Sequence, residues 1–183
     1  MTAEERIFSI VRGGLYAKLP SLALPLGRLT CREGDVDPAG TDGEAAVFAP
    51  GLLRREFLAE SDLPERLTLH LLLHLMLGHP WGRQGRARAL WDTVCDLAVG
   101  LVRHALLPQE PETPAAFSAR CKLQARRAVR APAIYALLLE QPDALTAEEQ
   151  AAFHLDDHRL WQLSASASAP KTADGGAETG WQE

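Results

Sequence analysis

The chain has 183 residues, 46% of them hydrophobic, and a formal net charge of −5 at pH 7. This length and apolar content predict one globular domain with a sizeable core. The acidic balance argues against a general nucleic-acid-binding protein. The start, MTAEERIF, lacks the features of a secretory signal, and no apolar stretch is long enough to cross a bilayer. We therefore expect a soluble, cytoplasmic protein with no membrane partner.

Basic residues do cluster in one predicted helix, but without alternating aromatic residues. They are Arg120, Lys122, Arg126, Arg127 and Arg130. Since nucleic-acid strands are held by stacking platforms as well as by charge, we interpret this face as solvated or facing a protein partner. The three cysteines are far apart and form no CxxC pair, so we expect reduced, structural thiols.

The first third of the chain predicts a short helix and a small sheet. Residues 2–18 have a helical pattern that is interrupted or ends near Gly13-Gly14. RLTC at 28–31 and AAVFAP at 45–50 read as short strands on either side of the turn-rich DVDPAGTDGE. Together these segments predict a small hairpin or edge sheet.

From about Gly51 onward the pattern is helical. One helix should begin near Pro64 and stop at Gly78-His79-Pro80. Further helices are expected from about Ala89 to Leu107, over 115–130, over 133–140, and after the capping-box pair Thr146 and Glu149. The fold class is therefore α+β and mostly α, with one domain over residues 1–163 and a flexible linker or tail over 164–183.

The helix containing TLHLLLHLM carries two histidines with metal-ligand spacing. Four residues on a helix turn 400°, so His70 and His74 lie about 40° apart and can reach one ion. The same spacing also suits hydrogen-bonded core histidines. The zinc motif HExxH has a glutamate where this chain has Leu71, which cannot activate water. His79 lies beyond the helix end, so we expect it to support the site and not to bind the metal.

Acidic residues on the next predicted helix offer a further ligand. Asp92 and Asp96 share one face of LWDTVCDLAVG among apolar neighbours, and a buried carboxylate must be paired or metal-bound. Arg103, seven residues after Asp96, offers pairing without a metal. A second polar cluster lies in FHLDDHRLW and could supply a ligand, orient a histidine or cap a surface turn. It contains His154, Asp156, Asp157 and His158.

Five separated stretches together resemble one family. They are TDGEAAVFAPGLL, LHLLLHLMLGHPW, LWDTVCDLAVG, PAIYALLLE and DDHRLW, within about residues 25–161. They resemble the zincin-like metallopeptidase domain of certain bacterial proteins. Those proteins carry a von Willebrand factor A-like domain downstream, and they are often encoded beside a MoxR-type AAA ATPase.

The resemblance implies a compact zincin-like fold, zinc as cofactor, and His70, His74 and Asp96 as ligands. The chain departs from the family pattern because Leu71 replaces the glutamate, and Asp92 and Gly100 replace two asparagines of a WNxAxDxxxN-like segment. It looks closer to a divergent branch without that glutamate. His79, Asp92, Asp157 and His158 remain as supporting residues or alternative ligands.

Three hypotheses follow. In the first, a degenerate zincin-like domain binds metal, has no catalytic residues, and acts as a scaffold linked to a von Willebrand A-like domain and an AAA ATPase. In the second, a zinc-dependent hydrolase uses Asp157 or His158 as a displaced base and holds a peptide beside the AAVF strand. In the third, a metal-free helical core pairs the histidines with Asp92, Asp96 and Arg103.

Overall fold

Eight α-helices and one small sheet make up the described part of the chain. The computed structural model describes residues 2–107, 113–121 and 130–161. The helices are α1 (Ala3–Lys18), α2 (Ala23–Arg28), α3 (Leu52–Leu58), α4 (Leu63–Met76), α5 (Arg88–Leu106), α6 (Thr113–Arg120), α7 (Ala131–Glu140) and α8 (Ala147–Phe153). The strands are β1 (Thr30–Glu33), β2 (Ala39–Thr41) and β3 (Ala45–Phe48). The mostly α fold with a small sheet in its first third is confirmed.

Two sequence predictions extend beyond the described residues. Of the helix expected over 115–130, residues 115–120 lie in α6, whereas Lys122, Arg126 and Arg127 lie outside the described ranges. The tail expected over 164–183 lies outside them as well. Arg120, at the end of α6, forms an ion pair with Glu149 of α8 at 2.6 Å.

The sheet has the order β1-β3-β2, which differs in detail from the sequence prediction. The two expected strands are neighbours, but they are parallel, and the hairpin partner of β3 is β2. Strand β2 lies in the segment that was expected to be only a turn. Because β3 is central, both of its edges are paired, so AAVF has no free edge for the peptide that the second hypothesis placed beside it.

Local signals in the sequence set several helix ends. Thr2 and Glu5 form a capping box at the start of α1, and Thr146 and Glu149 form the expected one at the start of α8. Pro64 lies in the first turn of α4, where its missing N–H costs nothing. Past the end of α4, Gly78 has a φ of +70°, a left-handed conformation that suits glycine and turns the chain toward His79.

Apolar side chains form two cores. The amino-terminal core joins α1, the sheet, α3 and α4, and includes Phe48 and Leu71. The carboxyl-terminal core joins α5, α6, α7, α8 and Trp161. Helices α4 and α5 pack against each other, one from each core. No helix among the described residues has the length and apolar character needed to cross a membrane.

Candidate metal centre

Three separate parts of the chain bring polar side chains together in the buried interior. Helix α4 supplies His70 and His74, one turn apart, and the facing helix α5 supplies Asp96. The segment that follows α8 supplies Asp156 and His158. All five residues are at most 6% exposed. We refer to them together as the His/Asp cluster.

The polar atoms of the His/Asp cluster converge on one point. His70 Nε2 lies 2.9 Å from Asp156 Oδ1 and 2.9 Å from His74 Nε2. Asp96 Oδ1 is 3.3 Å from His74 Nε2 and 3.6 Å from His70 Nε2. One ligand atom from each of His70, His74, Asp96 and Asp156 lies within 4.8 Å of all the others.

His158 lies beside the two carboxylates of this set. Its Nε2 is 3.0 Å from Asp156 Oδ1 and 3.1 Å from Asp96 Oδ1. Ligands at about 2.1 Å from a tetrahedral zinc ion lie roughly 3.4 Å from one another. The spacings of 2.9–3.6 Å among the converging atoms of His70, His74, Asp96 and Asp156 are close to this separation.

Hydrogen bonding alone leaves this arrangement poorly satisfied. Each Nε2 carries either one proton or one lone pair, so it makes one good hydrogen bond in this direction. His70 Nε2 nevertheless has two partners at 2.9 Å, one of them another imidazole nitrogen. Among the described residues, Asp156 Oδ2 is buried and accepts no hydrogen bond. A buried carboxylate oxygen is costly to leave without a partner.

A divalent cation fits the donor set on chemical grounds. Imidazole nitrogens and carboxylate oxygens are ligands that zinc accepts. The ion's two positive charges would balance the two carboxylates, and it would give each converging atom a partner. The residues present therefore fit a bound metal.

The electrostatics show how strongly the histidines and aspartates depend on one another. Burial opposes ionisation of Asp96, yet His158 and His154 hold its pKa well below the usual value. Burial likewise opposes protonation of His158, but Asp156 and Asp96 raise its pKa well above normal. For His74 burial dominates and lowers the pKa to about 4. A cation would take over the role that protonated histidines otherwise play.

Two further histidines contact the cluster from outside. His79 Nδ1 lies 3.0 Å from His74 Nδ1, because the chain turns at Gly78. Burial, followed by the charge of His74, lowers the pKa of His79 to about 2. His79 is therefore neutral, and its Nδ1 can accept a hydrogen bond from the Nδ1–H of His74. His154, which is exposed, lies with Nδ1 2.9 Å from Asp96 Oδ2. Both contacts orient cluster residues in the way that surrounding hydrogen bonds orient metal ligands.

The candidate aspartates of the sequence have different surroundings in the structure. Asp156 is fully buried in the cluster, whereas Asp157 is partly buried and pairs with Arg159 at 2.6 Å. Asp92 lies at the rim, 3.4 Å from Arg88 and with Oδ1 3.9 Å from His158 Nδ1. The sequence predicted Asp156 only as one member of a polar cluster that could supply a ligand, whereas Asp157 and His158 were the members named as alternative ligands.

The alternation of side chains along an extended backbone is the signal that could have identified Asp156. The chain is extended at His154 and at Asp157. In an extended chain, residues two apart face the same side. His154, Asp156 and His158 therefore share the side that faces α4 and α5, whereas Leu155 and Asp157 face away from it.

Leu71 does not belong to the polar site. It is fully buried and packs in the amino-terminal core. Two cavities come close to the cluster from the solvent side. One, of about 370 Å³, is lined by residues that include Asp92 and His158, and the other, of about 220 Å³, by residues that include Asp96 and His154.

The comparisons with known proteins point to one family. No curated protein and no solved structure matches the chain. A family profile described as "Putative metallopeptidase domain" matches residues 13–179, which include all of the His/Asp cluster. Because this match covers most of the chain and the cluster can hold a metal ion, the chain belongs to that metallopeptidase-domain family.

Proposed function

We propose that this domain binds one divalent cation, zinc by its ligand chemistry, in the His/Asp cluster, and that the ion has a structural role. The observation that carries the proposal is the convergence of three imidazole nitrogens and two carboxylate oxygens in a buried site. Under this proposal His70, His74 and Asp96 are ligands, as the family resemblance implied, and Asp156 and His158 join them.

The closed surroundings favour a structural ion over a catalytic one. A catalytic zinc site has three protein ligands and keeps a position open for water, whereas structural sites use four. Here four or five protein groups meet, and none is more than 6% exposed. When bound, the metal would supply positive charge and fixed geometry. The chain's own residues would hold α4, α5 and the segment after α8 in one arrangement.

The absence of a standard base supports a domain without ordinary peptidase chemistry. A zinc hydrolase needs a group that takes a proton from water. At position 71 the chain has a leucine that packs in the apolar core. Asp157, a candidate for the displaced base, pairs with Arg159, and the proposed peptide groove beside β3 is closed by strand pairing.

We also propose that the domain acts in the cytoplasm as a scaffold for protein partners. The partner types are a von Willebrand A-like domain and a MoxR-type AAA ATPase. Support for this part comes from the family resemblance, together with a core that the metal would hold rigid. A pull-down with the purified ATPase tests it, and loss of capture after chelation is expected if the metal-ordered surface is the one recognised.

Chelation and reloading separate the structural role from a catalytic one. We expect a strong chelator to lower the melting temperature and stoichiometric zinc to restore it, because an ion that binds only the folded state stabilises that state. The zinc-loaded protein is expected to leave unfolded casein intact. Casein cleavage that zinc restores and that His70→Ala abolishes would instead support the hydrolase hypothesis.

A matched pair of histidine variants controls for unspecific zinc binding. His70→Ala should lose the response of the melting temperature to zinc. His104→Ala changes a histidine of α5 outside the cluster and should keep the response. If both variants respond like the unmodified protein, the cluster is not where zinc acts.

A further inference from the structure

A cavity of about 370 Å³ lies beside the His/Asp cluster and has a distinct chemical character. Small-molecule sites in proteins begin at about this size. Its walls include three tryptophans, two arginines and one carboxylate from the described residues, namely Trp81, Trp91, Trp161, Arg83, Arg88 and Asp92. We call it the Trp81 cavity.

The aromatic walls of the Trp81 cavity are held in place by two close glycine contacts. A Cβ atom at Gly43 would lie 2.8 Å from the ring of Trp81, and one at Gly82 would lie 2.8 Å from the ring of Trp91. Each indole therefore lies directly against backbone. Trp81 remains 51% exposed, so one face of its ring is available to a ligand.

Positive charge surrounds the opening of the cavity. Helix α5 is 19 residues long and begins there, and the side chain of the preceding residue, Ala87, cannot cap its first N–H groups. Arg88 is the first residue of α5, and Arg83 makes no ion pair within the described ranges. Asp92, the carboxylate in the wall, already pairs with Arg88 at 3.4 Å.

Two lining residues also have a buried nitrogen atom without a hydrogen-bond partner among the described residues. Trp161 and His158 both line the cavity and are each 6% exposed. In the described part of the structure, the indole Nε1 of Trp161 and the Nδ1 of His158 have no hydrogen-bond partner. Asp92 Oδ1 is 3.9 Å from His158 Nδ1, which is too long for a hydrogen bond. Among the described lining residues, two arginines therefore face one carboxylate, and that carboxylate already has a partner.

We propose that the Trp81 cavity binds a small molecule through an oxyanion group, a carboxylate or a phosphate. The group lies at the start of α5 between Arg83 and Arg88, where guanidinium groups and the helix dipole both favour negative charge. A planar part of the ligand packs on the exposed face of Trp81. The proposal does not require the metal, because neither arginine belongs to the His/Asp cluster.

Titration with two simple anions tests the proposal and distinguishes a carboxylate ligand from a phosphate ligand. Inorganic phosphate and benzoate are each titrated into the purified full chain at constant ionic strength, with calorimetry and tryptophan fluorescence as readouts. We expect saturable binding of at least one anion at a single site. Benzoate alone indicates an aromatic carboxylate ligand, and phosphate alone indicates a phosphorylated one.

Arginine variants locate the site. Arg83→Gln should weaken binding at least about tenfold, since a charge-assisted hydrogen bond is lost. Arg54→Gln changes an exposed arginine of α3 and should leave binding unchanged. No saturable signal with either anion, or equal weakening in both variants, would overturn the proposal. The metal content of the same samples is measured as well, so that a loss of anion binding can be distinguished from a loss of metal.

Discussion

Asp156 and Asp157 are adjacent acids with opposite surroundings. Asp156 lies among three histidines with no exposed surface, whereas Asp157 is partly buried and pairs with the exposed Arg159. We expect Asp156→Ala to weaken zinc binding at least about tenfold, since changes near a metal commonly cost this much or more. Asp157→Ala should bind zinc like the unmodified protein. Competition with a chromophoric chelator measures both, and equal affinities in the two variants would contradict the assignment of Asp156.

Leu71 allows a second test at the scale of one residue. It occupies the position of the glutamate in HExxH but packs in the amino-terminal core. Leu71→Glu should therefore lower the free energy of unfolding by more than about 3 kcal/mol, because it places an unpaired carboxylate in an apolar interior. Leu71→Met should cost under about 1.5 kcal/mol. Urea unfolding measures both, and a stable Leu71→Glu protein would place this side chain in a polar pocket.

At the scale of elements, strand β2 positions the segment that carries Asp156 and His158. The backbone N–H of Asp157 donates to Ala39 O at 2.7 Å, and Gly40 forms a parallel bridge with Asp157. A Cβ atom at Gly40 would lie 2.5 Å from the carbonyl oxygen of Asp157. The close approach therefore requires glycine at this position of β2.

This contact makes Gly40→Ala a test of how the site is assembled. We expect it to push the segment away from β2, to lower the melting temperature, and to weaken zinc binding by about tenfold or more. The matched control is Gly27→Ala in α2, where a Cβ would meet no atom within 4 Å. That change should leave stability the same or raise it by up to about 1 kcal/mol. Unchanged zinc affinity in Gly40→Ala would show that the bridge does not hold the ligands in place.

The elements also show what could be predicted from sequence and what could not. Helical periodicity and caps identified α4 and α5, and hence the His70 and His74 pair, because those signals are local. Strand β2 was missed since Ala39, Gly40 and Thr41 have little strand propensity among turn residues, and pairing with β3 decides their conformation. The choice of Asp156 over Asp157 depends on docking against β2, which is more than 110 residues away in sequence.

At the scale of the whole molecule, the polar His/Asp cluster lies between the two apolar cores. His70 and His74 belong to a helix of the amino-terminal core, and Asp96 belongs to a helix of the carboxyl-terminal core. The segment after α8 contacts both cores, through Leu155 and Trp161. A bound ion would therefore join parts of the chain that are distant in sequence. We expect chelation to increase amide hydrogen exchange most strongly in the segment that carries Asp156 and His158, and least in α1. If chelation leaves amide hydrogen exchange unchanged in this segment, the ion does not hold the segment against α4 and α5.

The central claim is that the His/Asp cluster holds one divalent ion, and elemental analysis of the purified, tag-free protein tests it most directly. The protein is equilibrated with zinc, freed of excess metal, and measured beside Asp156→Ala. The expected result is close to one zinc ion per chain in the unmodified protein and a large loss in the variant. A folded, unmodified protein that retains no metal would contradict the claim and would leave the histidines and aspartates as a hydrogen-bonded core.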